Sequence, residues 1–246
     1  PSPGFIGGII GGLLAGIIAW AIKKIKMPKA LAGLKPVLII PLFSTFIVGL
    51  LMYFVVAPPC VMLQSAMTNW LTNMSNSSGI LLGAVIGAML AFDLGGPVNK
   101  VAYMFGVGLL AEGVYGPQAA SMASGMVPSL AMALATVLNK NLYTPAERES
   151  GKTAWLLGAS FIAEGAIPFA GADPLRVIPS LMVGSAVAGG MAMAFNLTLQ
   201  APHGGIFVMG LVNKPFLFLL CTAVGMVISA LMVNFLKGMK VKKNKK

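Results

Sequence analysis

Thr153-Ala-Trp-Leu-Leu-Gly-Ala-Ser-Phe-Ile-Ala-Glu-Gly-Ala-Ile-Pro-Phe-Ala-Gly-Ala172 is apolar and long enough to cross a membrane, yet it carries Glu164-Gly165 and Pro168 in its middle. An acid beside glycine, followed by proline, is inconsistent with an ordinary helix interior. The segment follows a basic stretch, Lys140, Arg148 and Lys152, and precedes two further apolar segments, Pro174–Leu199 and Pro215–Leu236, which end in six lysines between Lys237 and Lys246. If all three segments crossed, the lysine-rich tail would lie on the face opposite the basic stretch, against the positive-inside rule. The conflict disappears if 153–172 enters and leaves on one side as a re-entrant hairpin with Glu164 near its tip. Irregular backbone is tolerated at membrane depth only where protein buries it or a wet cavity adjoins it. Gln200–Val208, containing Pro202, His203, Gly204 and Gly205, has the composition of a second re-entrant turn. Paired broken segments point to a transporter binding site.

Composition supports a membrane setting. Of 246 residues 57% are hydrophobic and only 9% charged, with mean hydropathy +0.89, too little polar surface to coat a water-soluble globule. The formal charge of +11 suggests nucleic acid as a partner, but 14 of the 17 basic residues lie in three polar gaps flanking apolar spans: Lys23 to Lys35, Lys140 to Lys152, and the tail. Those gaps, with Glu147 and Glu149 in the second, read as cytoplasmic, and the tail as a membrane-surface anchor. A nucleic-acid role is excluded. Cys60 and Cys221 lie far apart within apolar stretches, which excludes a disulfide scaffold or a cysteine metal site, and no secretory signal peptide is evident.

Gly4–Ile22 and Val37–Val56 are predicted transmembrane helices, and Pro58–Ser78, with Gln64, Asn69, Trp70 and Asn73, an amphipathic segment in the outer interface. Gly79–Phe92, a break at Asp93-Leu-Gly-Gly-Pro97, Val98–Val114 and Ala119–Leu138 then return the chain to the inside at Lys140. The predicted class is all-α, a polytopic membrane protein with broken helices and one or two re-entrant hairpins. Residues 1–236 form the membrane domain and 237–246 a basic cytoplasmic tail. Glycines at 4, 7, 8, 11, 12 and 16 suit close helix association, the 17 methionines read as core filler, and the sequons at Asn73, Asn76 and Asn196 as chance matches.

Seven charges remain in apolar surroundings: Asp93, Lys100, Glu112, Glu164, Asp173, Arg176 and Lys214, joined by the single histidine, His203. Ionisable groups at membrane depth cost about 3 kcal/mol each and mark function. In Phe92-Asp-Leu-Gly-Gly-Pro-Val-Asn-Lys100 the glycines and Pro97 restart a helix. Its free N–H groups then favour hydroxyl or anionic ligand groups near Asn99 and Lys100. An Asp93–Lys100 ion pair holding the broken helix is the equally weighted alternative. Glu164 is a sugar-hydroxyl acceptor or a paired structural acid, and the flanking Gly165 and Pro168 favour the former. His203 reads as a hydroxyl donor or proton shuttle. Asp173-Pro-Leu-Arg176 reads as structural: Asp173 caps the following helix and Arg176 pairs with a carboxylate. Glu112 and Lys214 mark helix ends. One histidine makes no metal site. Seven charges summing to −1 suit a neutral polyol.

Ala91-Phe-Asp-Leu-Gly-Gly-Pro-Val-Asn-Lys100, Ala163-Glu-Gly-Ala-Ile-Pro-Phe169, Ala172-Asp-Pro-Leu-Arg-Val-Ile-Pro179 and Ala201-Pro-His-Gly-Gly-Ile-Phe207 resemble, in this order, the fructose-type enzyme IIC of the bacterial phosphoenolpyruvate-dependent sugar phosphotransferase system. The likeness runs from Gly4 to Leu236. It implies a bacterial inner-membrane permease that binds a hexose and presents it to cytoplasmic enzyme IIB and IIA domains, so that the sugar emerges phosphorylated. It also implies Glu164 at a hairpin tip against the sugar and a homodimer formed through scaffold helices; with the reading of the residues above, Gly165, Asp93, Asn99, Lys100 and His203 complete the candidate sugar site. Neither a catalytic residue nor a cofactor is implied in this chain, and phosphoryl transfer falls to partner domains. The family has further helices upstream, so a fragment is expected. A proton-coupled sugar transporter using Asp93, Glu164 and His203 is the runner-up; an aspartyl protease built on Asp93 and Asp173 is weaker, because Pro174 makes Asp173 a cap. No nucleotide-binding loop supports a pump.

Overall fold

A computed structural model describes residues 4–28, 33–75 and 78–243; Lys29, Asn76, Lys245 and Lys246 lie outside the described residues. The chain divides into two compact units, Pro1–Asn69 and Trp70–Lys246. Helices dominate, and the described residues contain no β-strand beyond an isolated bridge between Leu199 and Val212.

In the first unit α1 (Gly4–Lys24) ends where the Lys35 ammonium donates to the carbonyls of Lys23 and Ile25, at 2.5 and 2.6 Å. A cation there satisfies carbonyls that the helix leaves without partners. Two π-helical turns, Lys35–Ile39 and Met52–Val56, bracket α2 (Ile40–Leu51), and α3 (Ala57–Ser75) follows directly. The predicted stop at Pro58 does not occur. Pro58 and Pro59 fall in the first turn of α3, where a missing N–H is tolerated, and the Ala57 N–H closes the preceding wide turn on the Met52 carbonyl. Only the later part of Pro58–Ser78 is left to lie at an interface, because Lys35–Leu71 is one apolar run of 37 residues. Of the α1 glycines, Gly11 packs on Met52, while Gly8, Gly12 and Gly16 face open space.

The second unit is organised around α10 (Pro174–Ala194). Before it come α4 (Gly79–Phe92), α5 (Pro97–Leu110), α6 (Gly116–Gly125), α7 (Val127–Leu138), α8 (Pro145–Ala159) and α9 (Ile167–Ala172), and after it α11 (Pro215–Lys243). Missing side chains let helices touch backbone to backbone: Gly83 lies on Gly189, Gly87 on the Ser185 carbonyl, and Gly184 on Gly225 and Ser229. Among the described residues five runs are long and apolar enough to cross a membrane: Gly7–Lys24, Lys35–Leu71, Gly116–Leu138, Pro174–Ala194 and Pro215–Met239.

α4 and α5 do not behave as the two separate passes the sequence suggested. Each has 14 residues, roughly 21 Å at 1.5 Å per residue, short of a hydrocarbon core of about 30 Å. Gly79 at the start of α4 lies by Met193, and Tyr115 beyond α5 accepts the Leu199 N–H at 3.3 Å, so the pair folds back to the C-terminal end of α10. α8 and α9 fold back from the other end: α9 runs into Asp173, the start of α10, and Glu147 of α8 meets Lys237 of α11. Two broken helical hairpins therefore approach from opposite ends of α10.

Two boundaries shift. α11 continues through Lys243, so the described residues show no break at 236, and Lys237 is buried rather than a solvated anchor. Its ammonium lies 3.1 Å from Glu147 and over the Tyr143 ring, and Tyr143 donates to Asn234 at 2.7 Å. Asp173 occupies the N-cap position of α10, but its side chain accepts no capping hydrogen bond. Instead it holds Arg176 at 2.8 Å, the carboxylate pairing predicted for that arginine.

Candidate functional site

The two hairpin tips meet. The first tip turns at Leu94 and Gly95, with φ of 49° and 102°, and α5 restarts at Pro97 as its Gly-Gly-Pro pattern predicts. Asp93 caps that restart: its carboxylate accepts the Val98 and Asn99 N–H groups at 2.7 and 2.9 Å. In this position Asp93 holds the restarted helix. The amino end of α5 is already satisfied by Asp93, which leaves side chains rather than free N–H groups to meet a ligand. Asn99 is buried and donates to the Leu90 carbonyl at 2.6 Å, tying α5 to α4 across the break.

The second tip turns at Phe161, φ 67°, and continues through a 3₁₀ turn, Ala163–Ala166. Ser129 of α7 donates to the Ile162 carbonyl at 2.6 Å and fixes the tip. Gly165 is buried, and a side chain there would strike Ser129 and Leu157. It packs the tip and lies off the cavity. Glu164 points the other way. Its carboxylate lies 3.7 Å from the Lys100 ammonium, with the two side chains 45% and 34% exposed. It also fills the space where a Gly95 side chain would sit. At 3.7 Å the opposite charges attract, and a hydroxyl lying beside the pair can accept from Lys100 while donating to Glu164.

A third segment closes the site. The chain from Leu199 to Val212 leaves and returns at one place, clasped by their bridge and by Asn213, which accepts the Thr198 N–H and donates to the Asn196 carbonyl. It therefore makes no crossing. Gly205 sits against the Ala159 carbonyl with φ 60°, where any side chain would collide. Buried Gln118 of α6 donates to the Ala201 and Pro202 carbonyls at 3.3 and 2.7 Å. This seats His203 edge-on to Phe161, 5.0 Å between ring centres, and to Tyr103 at 6.3 Å.

Together these elements line a cavity of about 410 Å³ that includes Asn99, Lys100, Tyr103, Phe161, Glu164 and His203. Of the predicted ligand residues, Asn99, Lys100, Glu164 and His203 are brought together; Asp93 and Gly165 stand behind the tips. Asp173 and Arg176 lie elsewhere, and Lys214 donates to the Phe195 carbonyl at 2.8 Å, closing the end of α10. Sequence reasoning missed Tyr103 and Phe161. The available signals were their spacing, Tyr103 one helical turn beyond Asn99 and Phe161 three residues before Glu164. Flat rings beside a carboxylate, an ammonium and an amide suit a ligand with an apolar face and a rim of hydroxyls. Among the described residues no group of three or more His, Cys, Asp or Glu side chains is placed to hold a metal.

Comparison with known proteins places the chain in a family. The family model described as "Phosphotransferase system, EIIC" matches residues 1–184. The chain is 49% identical over 238 residues to the "PTS system fructose-specific EIIABC component" of Bacillus subtilis (strain 168), covering 96% of this chain and 38% of that protein. It is 48% identical over 221 residues to the "PTS system fructose-specific EIIB'BC component" of Escherichia coli (strain K12), covering 89% of this chain and 39% of that one. The "Fructose permease IIC component" of Bacillus amyloliquefaciens is 47% identical over 238 residues, of which the chain covers 78%. The chain thus spans well under half the length of the first two relatives. No solved structure matches significantly. Five apolar helices long enough to cross a membrane among the described residues, two broken hairpins meeting at a polar cavity and these likenesses lead to one assignment: the chain is a multi-pass membrane protein of the phosphotransferase system EIIC family.

Proposed function

We propose that the chain is the sugar-translocating part of a fructose permease of the bacterial inner membrane. It takes a hexose into the cavity between the tips and presents it to enzyme IIB and IIA domains for phosphorylation. The carrying observation is the meeting of Glu164, Lys100, Asn99 and His203 with the Tyr103 and Phe161 rings in one cavity at the tips of opposed broken hairpins. Opposed broken helices that place a polar site near the membrane midplane are a transporter design. Glu164 accepts sugar hydroxyl protons, Lys100 and His203 donate to hydroxyl oxygens, and the rings stack on the apolar sugar face. Asp93 and Gly165 serve by positioning. The relatives' printed names support fructose and the partner domains.

The proposed topology takes the five candidate helices as crossings. With α4–α5 and α8–α9 as re-entrant hairpins, Lys23 to Lys35, Lys140 to Lys152 and the end of α11 share one face, the cytoplasmic one, as the positive-inside rule requires. Residues 1–236 act as the translocating domain, the lysines beyond as its basic end, and the assembly is a homodimer.

Fructose titrated into the full chain in nanodiscs tests the site. A charge-assisted hydrogen bond contributes about 1.5–3 kcal/mol, so Glu164→Gln is expected to weaken binding roughly 10- to 150-fold, with an unchanged melting profile. Equal affinity in the variant refutes the assignment of Glu164. Uptake into vesicles is expected to require phosphorylated partner domains and to ignore an imposed proton gradient.

A further inference from the structure

A second cavity, about 530 Å³, lies between the end of α7 and the first turns of α8, outside the site just described. Its floor is Gly151, packed bare on Thr136, so the two helices approach closely beneath it. Lys140, Arg148 and Lys152 stand around it with one carboxylate, Glu149, which pairs with Lys152 at 2.7 Å. Glu147, one position before Arg148, is turned away into its pair with Lys237. The rim therefore carries a net charge of +2.

Arg148, Lys152 and Trp155 recur at i, i+4 and i+7 and share one face of α8, which changes from cationic to aromatic toward the hairpin tip. Apolar surface continues from the groove: Val137 is 56% exposed and Leu156 64%, beside Leu138, the last residue of a candidate crossing. Cations just past the end of a crossing, tryptophan one turn deeper and bare aliphatic side chains below reproduce the layers of a membrane boundary. A soluble protein loop would match the cations but leave the aliphatic surface without a partner.

We propose that this groove binds an anionic phospholipid, its phosphate among Lys140, Arg148 and Lys152 and an acyl chain along Val137, Trp155 and Leu156. The site rests on the membrane-spanning architecture and not on the sugar reading. It braces the stem of the hairpin whose tip holds Glu164.

Native mass spectrometry of the full chain in mild detergent, after exposure to phosphatidylglycerol or phosphatidylcholine, tests the proposal. Phosphatidylglycerol is expected to be retained and phosphatidylcholine not. Retention should fall about fivefold for each cation removed in the series Lys140→Gln, Arg148→Gln, Lys152→Gln. The same charge loss made as Lys23→Gln, Lys24→Gln, Lys26→Gln should leave retention unchanged. Equal retention of both lipids, or equal loss in the two series, overturns the site. So does a groove series that keeps the lipid but no longer binds a phosphorylated partner domain, which would make this a protein-docking surface. A measurement that leaves the groove intact supports the first: with Trp20→Phe and Trp70→Phe, Trp155 fluorescence should be quenched by brominated phosphatidylglycerol and not by brominated phosphatidylcholine, and the absence of quenching also refutes the proposal.

Discussion

Gly95 sits at the first tip directly against Glu164. Its φ of 102° disfavours any side chain, and a Cβ there would enter the space of the Glu164 carboxylate. Gly95→Ala is expected to cost about 1–3 kcal/mol of stability and, by pushing Glu164 aside, to weaken fructose binding more than it lowers the melting temperature; calorimetry on one preparation measures both. Unchanged binding would mean that Glu164 is not held by the opposite tip. The chemistry-bearing residues were legible because ionisable side chains are rare and conspicuous in an apolar chain, as at Glu164, Lys100 and His203. Their division of labour was not. Asp93 and Glu164 look alike as acids next to breaks, and only the fold shows that one caps a helix while the other faces the cavity. Phe161 was hidden because an aromatic residue in an apolar stretch carries no local mark of function.

The stem of the second hairpin is fastened at its base by Glu147, Lys237, Tyr143 and Asn234. Burial acts to raise the Glu147 carboxyl, but the Thr144 N–H and the Lys237 ammonium outweigh it and hold it below the usual carboxylate range. Burial and the nearby Glu147 charge push the Tyr143 phenol well above its usual value. Because the folded Glu147 value is the lower one, its stabilisation is complete above the unfolded value, near pH 4.3, and fades as pH falls through the folded value. Glu147→Gln is expected to lower stability by about 1–3 kcal/mol at neutral pH and to flatten this acid limb; parallel melts at neutral pH and across the acid range check it. A second expectation concerns α4 on α10: Gly87→Leu would drive a side chain into the Ser185 carbonyl, and loss of the folded protein on extraction is the expected outcome. The breaks within both hairpins were readable from glycine and proline alone, although the second turns at Phe161, ahead of Glu164–Pro168, and Pro168 falls in the first turn of α9. The continuity of Lys35–Leu71 through Pro58 was not, because a π-helical turn leaves no sequence signature that overrides two prolines. Nor was the folding back of α4 and α5, since Gly79–Phe92 and Val98–Val114 look alike as passes or half-passes when read by hydropathy.

The proposed topology, with the five candidate helices as crossings, predicts which loops share a face, and that is directly measurable. Single cysteines at Lys140 and Lys26 in a Cys60→Ser, Cys221→Ser background are expected to react only with membrane-permeant thiol reagents in intact cells, and one at Asn196 with impermeant reagents too; the reverse pattern would invert the molecule. Removing both native thiols breaks no disulfide, since both cysteines are free. The opposed hairpins also have an electrical consequence. Where two half-helices from opposite sides leave only their tips between aqueous openings, the membrane potential falls mainly across that thin septum. A charge that moved there would sense nearly the whole field, about 2.3 kcal/mol per elementary charge per 100 mV. The tips hold Glu164 against Lys100, one charge of each sign, so a movement of that pair together transfers none of its charge, and under the proposed sugar passage any dependence on the potential would come from the Asp93 carboxylate at the first break.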